Sequence, residues 1–188
     1  HFFHNVMNSL QALNRMEDRK NLDRGIVNLS RMFRYTCEAG YESNILRECR
    51  FIESYLILEK IRFEDRLHYE IHVDERLEHF MIPKLLLQPI VENAMRHGMP
   101  SDGSRMRIEL RVERVQSGNG DSFAWIMIAN DGIPYEEKAV WDGGRVGIVN
   151  VRERLLITYP DSFFWYDRKG GYQTVCNMLI AVGNRDEE

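Results

Sequence analysis

The segment LLLQPIVENAMRHGM, residues 85–99, is the part of the chain that decides the fold. Its apolar residues recur at helical spacing, and Glu92, Asn93, Arg96 and His97 gather on the other side of the helix. Glu92 stacks one turn before Arg96, and Asn93 stacks one turn before His97. This set suits a magnesium-bound polyphosphate, because oxygen atoms bind the hard cation and cationic donors bind phosphate. The alternative is an amphipathic helix with a solvated polar face.

Length, charge and cysteine usage limit the class of protein. The chain has 188 residues, of which 44% are hydrophobic and 29% charged, enough for one core or one core plus a small helical module. The net charge of −4 and scattered arginines argue against nucleic-acid binding, which needs a basic stripe. Cys37, Cys49 and Cys176 lack metal-binding spacing, as expected in a reducing cytosol.

The sequence contains no run of about 18 apolar residues, so we expect that it does not cross a membrane. It opens on HFFHN without an initiator methionine. We therefore expect a cytoplasmic piece of a longer protein, with any membrane anchor in a missing N-terminal portion.

Two helices are predicted within residues 1–40, with a break at 21–23 and an end at Gly40. Two stripes define them: Val6, Leu10 and Leu13, then Leu22, Ile26, Leu29 and Phe33. Such a hairpin cannot bury both stripes alone, which favours a dimeric four-helix bundle. The alternative is a monomeric hairpin packed on the rest of the chain.

The remaining chain alternates between helical and strand-like periodicity. Helices are predicted at 42–63, at a segment opened by Pro83, and at 148–157; strands are predicted at 68–73, 106–112, 123–129, 163–167 and 174–182. The turn signal at 117–121 makes 106–112 and 123–129 a hairpin. Helices come first and strands then cluster as hairpins, so the pattern predicts an α+β fold and not a doubly wound Rossmann fold.

Three blocks together resemble the LytS-type sensor histidine kinases, whose ATP domain belongs to the superfamily shared by gyrase, Hsp90, histidine kinases and MutL (GHKL). HFFHNVMNSLQAL is similar to the segment around the phosphoacceptor histidine of that family. ECRFIESYLILEKIRFEDRL followed by IPKLLLQPIVENAMRHG is similar to its linker helix and asparagine-bearing N box. GGRVGIVNVRERLLITYP is similar to its glycine-rich box and the helix after the ATP lid.

The resemblance implies a two-part organisation and a phosphotransfer activity. Residues 1–63 would form the helical dimerisation and phosphoacceptor region with the linker helix, and residues 64–188 a GHKL-type ATP-binding catalytic domain. That domain would be a Bergerat-type α/β sandwich with a mixed, largely antiparallel sheet. A homodimer would phosphorylate its own histidine from ATP and Mg²⁺ and pass the phosphoryl group to an aspartate of a response-regulator protein.

The resemblance also assigns roles to single residues. His1 would be the phosphoacceptor, and Glu92 would orient or deprotonate it or a water molecule. Asn93 would bind magnesium, while Arg96 and His97 would lie near the phosphates. The remaining positions that it assigns to nucleotide binding are Asn130, Asp131, Gly132, Gly143, Gly144, Gly147, Asn150 and Thr174.

Three positions depart from the family pattern. Asn130 stands where the adenine-binding aspartate is usual, Pro134 replaces a glycine, and Arg145 occupies a glycine position of the lid box. Asp131 takes the place of the aspartate if the register shifts by one. Two alternatives to the kinase follow, namely a nucleotide-poor dimeric signalling scaffold and an ATPase of the same fold without a phosphoacceptor.

Overall fold

The computed structural model describes residues 2–133, 146–170 and 173–183, with side chains for 4–133, 147–170 and 173–183. The helices are α1 (Phe2–Arg15), α2 (Arg19–Cys37), α3 (Ile45–Phe63), α4 (Gln88–Gly98) and α5 (Val146–Thr158). The strands are β1 (Glu42–Asn44), β2 (Leu67–Val73), β3 (Met81–Pro83), β4 (Met106–Gln116), β5 (Ser122–Asn130), β6 (Phe163–Lys169) and β7 (Gln173–Ala181). Within these ranges, no helix is both long enough and apolar enough to span a bilayer.

Five strands form the main sheet in the order β2–β4–β5–β7–β6. β2 and β4 run parallel, and the other neighbouring pairs are antiparallel. Alternation along β4 points Ile108, Leu110 and Val112 into the core, where they are fully buried. The predicted α+β class, the mixed and largely antiparallel sheet and the β4–β5 hairpin are confirmed.

The break between α1 and α2 lies at residues 16–18, so the predicted break at 21–23 is wrong. Asp18 caps α2, because its Oδ1 atom accepts a hydrogen bond from the Asn21 backbone N–H at 3.2 Å. Glu17 has a φ of 58°, which turns the chain between the helices. The second boundary also shifts, since α2 ends at Cys37 and not at Gly40.

The prediction that Pro83 opens the next helix is also wrong, because Pro83 ends β3 and pairs with Glu42. The helix starts at Gln88, and Pro89 takes the first-turn position, where a missing N–H costs nothing. Leu85, with a φ of 59°, separates strand from helix. The β1–β3 pairing likewise delays α3 until Ile45.

Helix α1 packs across α2 and α3 at a glycine. A Cβ atom placed on Gly25 would stand 2.4 Å from Leu10 Cδ2 and 3.3 Å from Ile61 Cδ1, so a larger residue here would force the Leu10 side chain to shift. Val6 and Leu10 of α1 share one continuous core with the inner face of the sheet. The division of the chain at residues 63 and 64 stays a prediction.

Candidate active site

Helix α4 presents the polar residues of the deciding segment on one side. Ile90, Val91 and Met95 are buried against the core, whereas Glu92 and Asn93 are half-buried. The remaining two polar residues, Arg96 and His97, are exposed in the last turn. Gln88 Nε2 donates a hydrogen bond to Glu92 Oε1 at 2.6 Å, which orients that carboxylate from one turn earlier. Helical spacing therefore produces the expected amphipathic arrangement.

The C-terminal end of α4 lies directly against the loop that follows β5. A Cβ atom on Gly132 would stand 1.9 Å from the Gly98 carbonyl oxygen, and the Ile133 backbone N–H donates to that oxygen at 2.8 Å. A Cβ atom on Gly98 would in turn stand 2.5 Å from Asn130 Nδ2. Gly132 is thus required by its close contact with the Gly98 backbone, whatever ligand binds nearby, whereas a side chain at Gly98 would displace the Asn130 amide.

Asn130 and Asp131 face different surroundings. Asn130 is 5% exposed and pairs in register with Thr174 of β7, which is 8% exposed. Asp131 is exposed, and its Oδ1 atom accepts a hydrogen bond from the Arg107 backbone N–H at 2.6 Å. Of the two residues considered for adenine recognition, Asn130 is the one that lies beside Thr174 and the end of α4.

Helix α5 begins next to the start of α4. A Cβ atom on Gly147 would stand 3.7 Å from Pro89 Cβ, so the first turn of α5 lies beside the first turn of α4. Asn150, one turn further, is exposed. The free N–H groups and positive dipole end of a helix start favour a phosphate. Gly143 and Gly144 lie outside the described residues.

A groove of about 770 Å³ joins α4 to the N-terminal helices. Asn5 of α1 lines it together with Glu92 and Arg96 of α4, and Tyr55 and Glu59 of α3 form part of its wall. Asn5 lies one helical turn after position 1, so the groove brings the histidine-bearing end of α1 to the polar face of α4. His1 itself lies outside the described residues, and His4 is exposed.

The wall of this groove contains a second carboxylate that our sequence interpretation missed. Glu59 is 4% exposed, and burial raises the pKa of its carboxyl. The Arg62 guanidinium, whose Nη1 atom lies 3.5 Å from Glu59 Oε2, lowers this pKa, whereas the nearby Glu92 carboxylate raises it. Burial and both carboxylates also raise the pKa of Tyr55. Tyr55, Glu59 and Arg62 recur at i, i+4 and i+7, so helical spacing was the signal for this group.

The described residues offer few ligands for a metal ion. Asn93 provides an amide oxygen and Glu92 a carboxylate oxygen, which are ligand types that magnesium accepts. No group of three or more His, Cys, Asp or Glu side chains comes together in the described ranges. These donor types are those of a magnesium site that phosphate oxygens and water would complete.

Sequence comparisons link the chain to known sensor proteins. The profile of the family described as "Histidine kinase" matches residues 1–67. Sensor histidine kinase YesM of Bacillus subtilis is 25% identical over 87% of this chain and 28% of its own length. Sensor protein LytS of Staphylococcus haemolyticus is 35% identical over 52% of this chain and 17% of its own. The chain spans about a third or less of these relatives.

Solved structures have the same fold at low sequence identity. The histidine kinase domain of the blue-light activated histidine kinase of Erythrobacter litoralis aligns with a TM-score of 0.54 and 18% identity, over 95% of this chain and 94% of that one. The catalytic domain of histidine kinase ThkA aligns with a TM-score of 0.54 and 16% identity, over 74% and 93%. The chain thus has the fold of histidine kinase catalytic domains, and its sequence is similar to those of sensor histidine kinases of the LytS, HptS and YesM kind.

Proposed function

We propose that the chain is the catalytic core of a protein-histidine kinase that phosphorylates His1 from MgATP and then donates the phosphoryl group to an aspartate of a response regulator. The observation that carries the proposal is the groove shared by Asn5, Glu92 and Arg96. It puts the turn after the acceptor histidine beside a carboxylate and a guanidinium, the pair that transfer to an imidazole needs.

The residues present fit a magnesium nucleotide. Asn93 offers the oxygen for the ion, Arg96 and His97 offer donors for phosphate, and the start of α5 with Gly147 offers backbone N–H groups. The adenine would lie toward Asn130 and Thr174, beside the C-terminal end of α4. Bound magnesium supplies charge neutralisation on the transferring phosphoryl group.

Transfer to the histidine is mainly a matter of positioning. A neutral imidazole nitrogen of His1 attacks the γ-phosphorus, so that a nitrogen–phosphorus bond forms while the bond to the β-phosphate oxygen breaks and ADP leaves. Glu92, held by Gln88, accepts the proton that the imidazole loses. The buried Glu59 lies in the wall of the same groove, and burial and the Glu92 charge raise the pKa of Glu59.

A second copy of the chain is the proposed partner of α2. Ile26, Val27 and Phe33 of that helix are each about half exposed, at 51%, 47% and 47%. Ile26 and Phe33 belong to the predicted stripe, which a partner's helices would cover in a four-helix bundle. We place this homodimer in the cytoplasm as part of a longer, membrane-anchored protein, with a response regulator and no nucleic acid as its further partner.

Incubation of a chain extended upstream of His1 with γ-labelled ATP tests the proposal. We expect acid-labile, base-stable label on the native protein, no label on His1→Gln, and a loss of about tenfold or more on Asn93→Ala. Asn14→Ala, an exposed helical asparagine, is the matched control and should keep its label. Label that persists on His1→Gln, or that Asn93→Ala leaves unchanged, contradicts the proposal.

One observation favours the scaffold as a second candidate. Asn130 lacks the charge of the usual aspartate and already packs against Gly98, which weakens the expected contact to an adenine amino group. Titration calorimetry with a non-hydrolysable MgATP analogue separates the candidates. Absence of binding heat at millimolar analogue favours the scaffold, whereas saturable binding that Asn93→Ala weakens favours the kinase.

A further inference from the structure

A fully buried carboxylate lies between the N-terminal helices and α4. Glu48, in the first turn of α3, is 0% exposed. It accepts hydrogen bonds from the Tyr35 hydroxyl of α2 and, at 2.6 Å, from the Leu85 backbone N–H. The amides of Leu86 and Leu87 also favour its charged form, although burial raises its pKa overall. A carboxylate in such a place is retained only with these donors.

The segment that Glu48 holds is the entry to α4. Leu85 has a φ of 59°, a left-handed conformation that a branched residue adopts only where its surroundings impose it. Arg154 Nη2 of α5 donates to the Lys84 carbonyl oxygen at 2.6 Å, and Lys84 Nζ donates to the Glu38 carbonyl oxygen just after α2. The segment 84–87, just before α4, is therefore hydrogen-bonded to α3, to α5 and to the end of α2.

Tyr35 is held firmly on the α2 side. It is 7% exposed, and its ring lies 5.1 Å from the ring of Phe51, centroid to centroid. The Arg47 guanidinium and the Lys84 ammonium lie over the same ring, at 5.5 and 5.0 Å from its centroid. These contacts tie α2 through Tyr35 to α3 and to the segment before α4, so the Tyr35 hydroxyl links the position of α2 to Glu48.

We propose that Glu48 is a positioning residue that couples α2 to α4 through the chain Tyr35 Oη–Glu48–Leu85 N. This inference rests on the proposed function, because it gives α4 its role at the nucleotide and at His1. A rotation or shift of α2 that withdraws the Tyr35 hydroxyl leaves a buried carboxylate short of a donor. The entry to α4 then loosens, and Glu92 shifts in the groove that it shares with Asn5.

The coupling affects the position of Glu92 more than the adenine part of the nucleotide site. The proposed adenine end, at Asn130 and Thr174, is built on strands β5 and β7, which Glu48 does not contact through any hydrogen bond found among the described residues. Misplacement of Glu92 by a fraction of an ångström lowers the rate of transfer. Breaking the chain should therefore lower kcat with little change in KM for MgATP.

The test uses Tyr35→Phe, which removes only the hydroxyl. Amide exchange at residues 84–91 should speed up about tenfold, and kcat for autophosphorylation should fall about tenfold, with KM for MgATP changed less than twofold. Tyr159→Phe is the matched control, because its hydroxyl donates to the Met81 carbonyl oxygen nearby without touching Glu48. The double variant Tyr35→Phe/Glu48→Gln should be no slower than the slower single variant, since either change breaks the same chain.

Several outcomes overturn the proposal. The first is an amide exchange rate at residues 84–91 of Tyr35→Phe that equals the native rate. The second is an effect of Tyr159→Phe on exchange and kcat as large as that of Tyr35→Phe. The third is a loss of kcat in the double variant that equals the combined losses of the two single variants. Should Tyr35→Phe fail to fold, Glu48→Gln carries the same two readouts. If the native protein shows no autophosphorylation, the proposed function fails, yet the exchange experiment alone still decides whether α2 and α4 are coupled.

Discussion

Replacing Gly132 by alanine tests the junction between α4 and the sheet. The added Cβ atom would stand 1.9 Å from the Gly98 carbonyl oxygen, 2.6 Å from the Gly98 carbonyl carbon and 2.9 Å from Met106 Sδ. Two of these three atoms belong to backbone, which cannot rotate away as a side chain can. The end of α4 must therefore move away from β5.

The size of the loss follows from the kind of contact. Overpacking of a core costs about 1–3 kcal/mol, and a clash with backbone belongs in the upper half of that range. We expect the free energy of unfolding to fall by about 2–3 kcal/mol. With a urea slope of about 2 kcal/mol per molar, the unfolding midpoint falls by about 1 M.

Urea unfolding followed by circular dichroism measures this loss. Gly118→Ala is the matched control, because no heavy atom lies within 4 Å of a Cβ at that turn and its backbone is outside the left-handed region. We expect the control to stay within about 0.5 kcal/mol of the native protein. A midpoint for Gly132→Ala equal to that of Gly118→Ala would refute the close packing of α4 on the loop after β5.

Three further predictions concern the charge and the surfaces of the proposed kinase. Asn130→Asp should tighten binding of the MgATP analogue about fivefold to tenfold in calorimetry, because a carboxylate makes a charge-assisted hydrogen bond to the adenine amino group. The control Asn119→Asp, in an exposed turn, should leave this binding unchanged. Phe33→Glu should weaken dimerisation about tenfold or more in sedimentation experiments, while Ile157→Glu, at an 81% exposed position on α5, should not. Burial raises the folded-state pKa of Glu59, so its contribution to stability is present below the unfolded pKa and lost as pH rises through the folded pKa. Glu59→Gln should therefore melt above the native protein at pH 8, with the difference narrowing toward pH 5; a constant difference would contradict a titrating Glu59.

Hydrophobic periodicity was sufficient to predict the helices and the strands of the main sheet, but not β1 and β3 or all of the boundaries. The alternation at Ile108, Leu110 and Val112 is local, and so it identified β4 directly. Pro83 was misassigned because proline fits both a strand end and a first helical turn. The choice depended on β1 pairing with β3, a contact between distant segments that no local pattern reveals.

The polar face of α4 could be predicted, whereas its neighbours could not. Glu92 and Arg96 follow from spacing within one helix. Glu59 lies on α3, and its approach to Glu92 depends on how two helices pack. The burial of Glu48 could not be predicted for the same reason. An acidic residue in the first turn of a helix is usually exposed, and only the packing of Tyr35 and Leu85 against Glu48 shows that it is buried.

Helix α4 is anchored to the sheet at one end and to the helical part of the chain at the other. Its C-terminal end is tied to the sheet through Gly132 and the hydrogen bond from Ile133 N–H to the Gly98 oxygen. Its entry is tied to the helical part through Glu48 and Leu85. A helix of 11 residues is too stiff to absorb a relative displacement of its two anchors. Movement of α2 against the sheet must therefore either carry the polar face of α4 with it or break one anchor, and Glu48 is the group in the entry whose donors come from both α2 and the segment before α4.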